Sequence, residues 1–325
     1  METTKLYSLF SQEFRQTVLP YIEKKFPRSP LSEPIYYYID TFPLRTFRAG
    51  LPIFIAQSMK IPKKAILPVA AASELMFFIA LAQDDVIDND KIRGGRPSAH
   101  IMFGTTRTMV SADYATGCVW EMLEDLKNVL DPKTLHAVRV AFLDAHKRLY
   151  RSFLVEMGTK PELEKIDEKY IRQIHLDKTV QGINALYCTG IVVDNLLKKK
   201  VYAKAFKKYA EYLAIAGQIK NDVYDFTRYP KKRGFSDLRN GYITYPILHL
   251  IQNGEIKALK KIYKSIDGQE LCNLLENHGT IGYLSKKVHS LTERAISVTG
   301  NVSLPHPLKE ILTAWAKGNS KINDY

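Results

Sequence analysis

The sequence predicts an all-α protein, one large helical bundle in which residues 1–325 form a single domain. Apolar residues recur at spacings of three and four, as in Ile66, Val69, Ala70, Ser73, Phe77, Ala80 and Leu81, which places them on one face of a helix. Alternating β-branched runs of strand character are scarce. Pro62, Pro97, Pro132, Pro161, Pro230 and Pro246 punctuate the apolar pattern at loops or helix starts, where the missing N–H breaks no helical bond.

Along the chain, the first strong element is the apolar run Leu67–Ala82. Ser73 and Glu74 interrupt it, so it reads as a buried core helix rather than a membrane span. Lys91-Ile92-Arg93-Gly94-Gly95-Arg96-Pro97 is a basic, glycine-rich break. Gly158-Thr159-Lys160-Pro161 and the segment Tyr229–Gly241 read as loops within one domain, and no internal repeat or low-complexity tract is present. Gly182 falls inside a helical pattern, where glycine marks either close packing or a local break that exposes carbonyls. A second apolar helix carries Tyr212-Leu213-Ala214-Ile215-Ala216.

Each of these two helices ends in an acidic cluster, Asp84-Asp85-Val86-Ile87-Asp88 and Asn221-Asp222-Val223-Tyr224-Asp225. The first and fifth positions of each lie one helical turn apart and aim oxygen ligands at one point. An acidic pair on a helix is usually a solvated face. Here the flanks are apolar, and partly buried like charges are costly unless a cation neutralises them. Hard oxygen ligands suit Mg²⁺. A basic segment follows each cluster, Lys91–Pro97 and Arg228-Tyr229-Pro230-Lys231-Lys232-Arg233-Gly234, so the pattern reads as metal plus diphosphate.

On these residues the chain resembles the class I trans-isoprenyl diphosphate synthases, or polyprenyl synthetases, and the terpene synthases of the same superfamily. The likeness runs from about Arg48 to about His249, through Asp84-Asp85-x-x-Asp88, Arg93, Gly95, Pro97, His100, Lys178-Thr179, Gln218-Ile219-x-Asn221-Asp222-x-x-Asp225, Asp237-Leu238, Thr244 and Pro246. It implies an isoprenoid-synthase bundle, a homodimer, and an allylic isoprenyl diphosphate substrate held on three Mg²⁺ ions. Asp84, Asp85, Asp88, Asn221, Asp222 and Asp225 would be the metal ligands. Arg93, Lys178, Lys232 and Gln218 would meet the diphosphate, with Asp84, Asp85, Asp88, Lys178 and Asp222 as the catalytic set. Ionisation of the diphosphate then leaves an allylic cation to be sheltered from water in an apolar cavity.

The departures from the family pattern are concentrated at the second substrate, isopentenyl diphosphate. Its Gly-Lys-Arg-x-Arg-Pro motif reads Phe47-Arg48-Ala49-Gly50-Leu51-Pro52, which keeps Arg48 and puts Leu51 in place of a cation. Phe77 stands where a His or Gln belongs, and Gly94 where the second Arg of Arg-Arg-Gly belongs. Lost charge-assisted contacts at roughly 1.5–3 kcal/mol each weaken such a site by orders of magnitude. The expected function is therefore a terpene synthase or cyclase that does not use isopentenyl diphosphate. The alternatives are a chain-elongating prenyltransferase and prenyl transfer to another acceptor. Asn221 resembles the Asn-Asp start of a terpene-synthase metal motif, and Tyr242 replaces a Lys common in the synthases. Gln181 and Gly182 are cavity candidates for a broken helix, as are Phe77, Ile79 and Ala80 upstream of Asp84. Small Ala80 with Ile79 leaves room for a C15 or C20 substrate.

The net charge of +13 admits another class, a nucleic-acid or membrane-surface binding protein. The basic residues are diffuse and accompany no recognition motif, so no nucleic acid is expected and weak membrane-surface attraction is. Cys118, Cys188 and Cys272 are widely spaced with no metal pattern, and the amino terminus lacks a secretory pattern, so a cytoplasmic location is expected. His100, His175 and His249 read as structural hydrogen-bonding residues. Glu156 and Arg172 lie on helices with nothing in one sequence to orient them.

Overall fold

The structure is a computed structural model that describes residues 3–41, 46–158, 162–227 and 235–318, and most of these residues are helical. Helix α1 (Thr3–Glu13) passes through a π-helical turn (Phe14–Val18) into α2 (Leu19–Lys25), followed by α3 (Glu33–Thr41), α4 (Phe47–Ser58) and α5 (Lys63–Ile87). A two-stranded hairpin, β1 (Ile92–Arg93) and β2 (Arg96–Pro97), leads to α6 (Ala99–Phe103), α7 (Thr105–Glu124), α8 (Pro132–Met157) and α9 (Glu168–Lys178). Then come α10 (Val180–Leu197), α11 (Tyr202–Thr227), the single turn α12 (Ser236–Arg239) and α13 (Tyr245–Gln252). The chain closes with α14 (Ile256–Ser265), α15 (Gly268–Asn277), α16 (Thr280–Gly300) and α17 (His306–Gly318).

Helix α5 is the centre of the bundle and packs against α4, α7 and α10, while α11 lies between α10 and α16. It is apolar nearly all round, as a fully surrounded helix must be. Among the described residues it is the one helix long and apolar enough to cross a membrane, but 83% of its most apolar stretch is buried inside the protein. Local signals set its ends. Pro62 precedes it in extended backbone, and Asn89 terminates it at φ 52°, a left-handed conformation that Asn tolerates. In the same way Asp131 and Asp167 cap α8 and α9, accepting from the amides of Thr134 at 3.0 Å and Tyr170 at 2.7 Å.

Two further prolines, Pro52 and Pro68, lie inside α4 and α5 rather than at their ends. Each is within the second turn, close to the helix start, where one lost backbone bond is cheapest. The expected loop over Tyr229–Gly241 contains the helical turn α12, and the part before Phe235 lies outside the described residues. Helical geometry breaks at Thr179 (φ −103°, ψ 12°), between α9 and α10, and the Thr179 hydroxyl satisfies the His175 carbonyl at 2.6 Å. The break therefore precedes Gly182, and it makes Lys178 the last residue of α9. The carboxyl ends of α5, α8, α9 and α11, with the α12–α13 connection, carry the groups described next.

Candidate active site

At the end of α5 the adjacent acids Asp84 and Asp85 diverge, because successive helical residues point about 100° apart. Asp84 is partly exposed, whereas the Asp85 side chain is completely buried. Tyr38 of α3 donates to Asp85 Oδ2 at 2.6 Å, and Arg93 Nε donates to Oδ1 at 2.6 Å. The same guanidinium reaches Asp84 at 3.1 Å and Asp90 at 3.4 Å. Both oxygens of Asp85, an expected metal ligand, thus accept hydrogen bonds from the protein's own side chains. Arg93, expected to meet the diphosphate, turns its Nε and Nη2 toward these carboxylates. The cause is the hairpin. Gly94 and Gly95 adopt φ of 59° and 81°, turning β1 into β2 so that Arg93 folds back over the end of α5.

On α11, Asp222 is buried and accepts from the Tyr245 amide at 3.0 Å, which caps α13. His175 Nε2 lies 3.4 Å from the same oxygen, and its ring packs on Tyr245 at 5.1 Å. Burial, with Lys178 close by, holds His175 down to about 3. Burial pushes Asp222 up to about 7, with Asp225 and Glu156 adding to the rise. Asp225 accepts from the Asp237 amide at 3.1 Å. Burial, then Asp225 and Asp222, raise the Asp237 carboxyl well above its ordinary value. Asn221 is exposed, and its amide donates to Gln218 at 3.3 Å.

Lys178 and Tyr242 join the two clusters. The Lys178 ammonium forms an ion pair with the buried Glu156 carboxylate of α8 and lies 5.2 Å over the Tyr242 ring. Burial lowers the Lys178 pKa, but Glu156, Asp84 and Asp237 outweigh it and keep the amine charged. Glu156 is raised chiefly by burial, with Asp84 and Asp88 pushing it the same way. Tyr242 donates to Asp88 Oδ1 at 2.5 Å. Asp84 and Asp88 therefore stand on one wall and Asp222, Asp225 and Asp237 on the other, with Lys178 between them.

Among the described residues no three carboxylate, histidine or cysteine side chains converge into a ready-made metal nest. The donor set nevertheless fits a hard divalent cation. It consists of carboxylates that burial, and then one another, raise at Asp222 and Asp237, and a cation offsets both costs.

The residues at the altered acceptor positions pack against aromatic rings or into the core. Arg48 stacks 3.6 Å over the Phe77 ring and 4.4 Å over Phe47, while Leu51 is fully buried in the core. A Cβ on Gly182 would lie 3.2 Å from Phe47, so this glycine serves tight helix packing and not an open cavity. Gln181 is buried beside it. Ile79 is in the main core, and Ala80 packs with Ala145, Leu149, Phe153 and Val180 between α5, α8 and α10. Lys232 lies outside the described residues. His100, expected to hydrogen-bond, is buried with no partner for either ring nitrogen among the described residues. Tyr38 and His175 were not visible as site residues in the sequence, because their roles depend on contacts distant in the chain.

Glu74 lies under Arg48 on α5. It is wholly buried, accepts from the Ala49 amide at 2.8 Å, and is pushed by burial up to about 7 from 4.5, against the pull of Arg48. Its folded pKa lies above its unfolded value, so the folded chain holds the proton more tightly. The corresponding stability is fully present below the unfolded pKa and is lost as pH rises through about 7. The span amounts to roughly 3 kcal/mol. Glu74→Gln keeps the acceptor for Ala49, and its melting temperature is expected to depend less on pH than wild type from pH 5 to about 7.5. Parallel curves for the two proteins would remove this account.

Comparison with known proteins adds three findings. Residues 29–275 match the family model described as polyprenyl synthetase. A geranylgeranyl pyrophosphate synthase of Epichloe festucae is 24% identical over 310 residues, 91% of this chain and 87% of the relative. Among solved structures, a geranylgeranyl pyrophosphate synthetase from Pyrococcus horikoshii superposes with a TM-score of 0.81 at 20% identity, covering 98% of each chain. A Caulobacter crescentus polyprenyl synthase, complexed with calcium and isoprenyl diphosphate, gives 0.82 at 16% identity and the same coverage.

Proposed function

The chain belongs to the polyprenyl synthetase family, and from that premise we propose that it is a Mg²⁺-dependent prenyltransferase that ionises a C15 or C20 allylic diphosphate and extends it with isopentenyl diphosphate. The observation that carries this reading is the pair of acidic walls joined through Lys178 and Tyr242. The names of the relatives favour elongation over the cyclisation expected from the altered acceptor half-site.

Asp84, Asp88, Asp222 and Asp225 would hold Mg²⁺, three ions by family likeness, which would supply Lewis-acid stabilisation of the diphosphate leaving group. The chain's own residues prepare for that event. Asp84 and Asp88 present carboxylates from α5, and Asp222 and Asp225 present theirs from α11, with Asn221 and Gln218 beside them. Lys178 donates to the diphosphate, and Glu156 sets the direction of its ammonium. Arg93 and Tyr38 hold Asp85, and through it the end of α5, in place. Ala80 and the apolar group around it would face the prenyl chain and exclude water from the cation.

A second reading, ionisation without isopentenyl diphosphate, is favoured by one feature. Arg48 is committed to Phe77 and Phe47, and a side chain restored at Gly94 meets left-handed backbone. Product analysis by gas chromatography and mass spectrometry, with Mg²⁺ and farnesyl or geranylgeranyl diphosphate, separates the two. A longer diphosphate formed only when isopentenyl diphosphate is added is expected. A hydrocarbon or terpene alcohol formed without it assigns the second reading, and Phe77→His should then shift products toward condensation. Exposed apolar side chains on α7 and α8, among them Val110, Tyr114, Val140 and Leu143, support a homodimer. Weak membrane association, from net charge, completes the proposal.

A further inference from the structure

Tyr242 has an unusually determined position for a residue in a short connection. Its amide donates to the Asp237 carbonyl at 2.8 Å, and its carbonyl accepts from the Tyr263 hydroxyl at 2.8 Å. Gly241 before it takes φ 68°, which lets the chain turn sharply into this arrangement. With the backbone held on both sides, the ring crosses from the wall of the second cluster to that of the first. There its hydroxyl donates to Asp88 Oδ1 at 2.5 Å, while Lys178 Nζ lies 5.2 Å from the ring centre.

We propose that Tyr242 is a positioning residue that bridges the two acidic walls through Asp88 and transfers its hydroxyl hydrogen bond to the substrate diphosphate when a divalent cation takes that Asp88 oxygen. The proposal rests on the reading of Asp88 as a metal ligand. A phenolic O–H at 2.5 Å and a metal ion draw on the negative charge of the same oxygen, so each weakens the other's hold on Oδ1. Once displaced, the hydroxyl needs another acceptor, and the group held by Lys178 supplies anionic oxygens beside it. The phenol thus donates to Asp88 without a cation and to the diphosphate with one. No covalent bond is made or broken in the exchange.

The test is Mn²⁺ binding, read from the paramagnetic resonance of the free ion, with and without inorganic pyrophosphate. Wild type, Tyr242→Phe, Tyr242→Lys and Asp88→Asn are compared. Tyr242→Phe is expected to bind Mn²⁺ alone several-fold more tightly, because a competitor is gone, and to bind pyrophosphate in the presence of Mn²⁺ about tenfold more weakly. Tyr242→Lys brings a cation to the same place and should bind pyrophosphate at least as tightly as wild type; weaker binding than wild type would show that position 242 does not reach the diphosphate and would overturn the transfer. Tyr242→Phe matching wild type in both measurements, while Asp88→Asn loses Mn²⁺, overturns the role of Tyr242 alone. Asp88→Asn binding Mn²⁺ as wild type does overturns the metal reading and this inference with it.

Discussion

Asp84→Asn is expected to lower kcat by about a thousandfold or more and to raise the Mg²⁺ concentration needed for half-maximal rate, with little change in melting temperature. The geometry separates the two parts of that expectation. Asp84 is the partly exposed acid at the end of α5, and its field reaches both Lys178 and Glu156 across the gap between the walls. Its one described protein contact is with Arg93 at 3.1 Å, which an Asn oxygen still accepts. The substitution therefore removes charge from the metal-facing position while leaving the end of α5 intact. A variant that retained more than roughly a tenth of wild-type activity at saturating Mg²⁺ would mean that Asp84 is not a ligand whose charge the reaction needs.

What the sequence discloses is governed by the distance over which each interaction acts. The helical period of the Ile66–Leu81 stretch and the helix start at Pro132 are local, and the structure reproduces both. The two acidic clusters are legible because a five-residue pattern on a helix is also local. What the pattern does not encode is which of two adjacent acids faces the gap, since that depends on the rotation of α5 set by α4, α7 and α10. Asp85 is turned inward because Tyr38 and the returning Arg93 await it there. Glu156 is similarly illegible, lying on a helix whose orientation is fixed by its packing against α9 and α10. Gly182 offers the opposite lesson. Packing and a helix break predict the same residue, and only the approach of Phe47 decides for packing, while the break itself falls at Thr179. Tyr242 reads in sequence as the loss of a cation, and its bond to Asp88 becomes visible only when the walls are assembled.

Asp85→Ala is expected to cost stability rather than metal affinity, the reverse of the pattern for its neighbour. The substitution leaves the mostly buried Arg93 guanidinium without its closest partner and the Tyr38 hydroxyl without an acceptor. Breaking a buried pair from one side costs about 3–5 kcal/mol, and the lower end applies here because Asp84 and Asp90 still lie within reach of Arg93. For a chain of 325 residues the melting temperature should fall by roughly 4–5 °C. Tyr38 also accepts from the Ala99 amide at 3.0 Å, so the loss spreads to the contact of α3 with α6. Arg93→Leu in the Asp85→Ala background should recover part of the loss, since it removes the stranded charge, though the smaller pair leaves space unfilled. Mn²⁺ binding by the folded single variant should stay within a few-fold of wild type, while Asp84→Asn loses it. If Asp85→Ala instead melted with wild type and lost Mn²⁺, Asp85 would be a ligand, and the contacts with Tyr38 and Arg93 would have to give way whenever the metal binds.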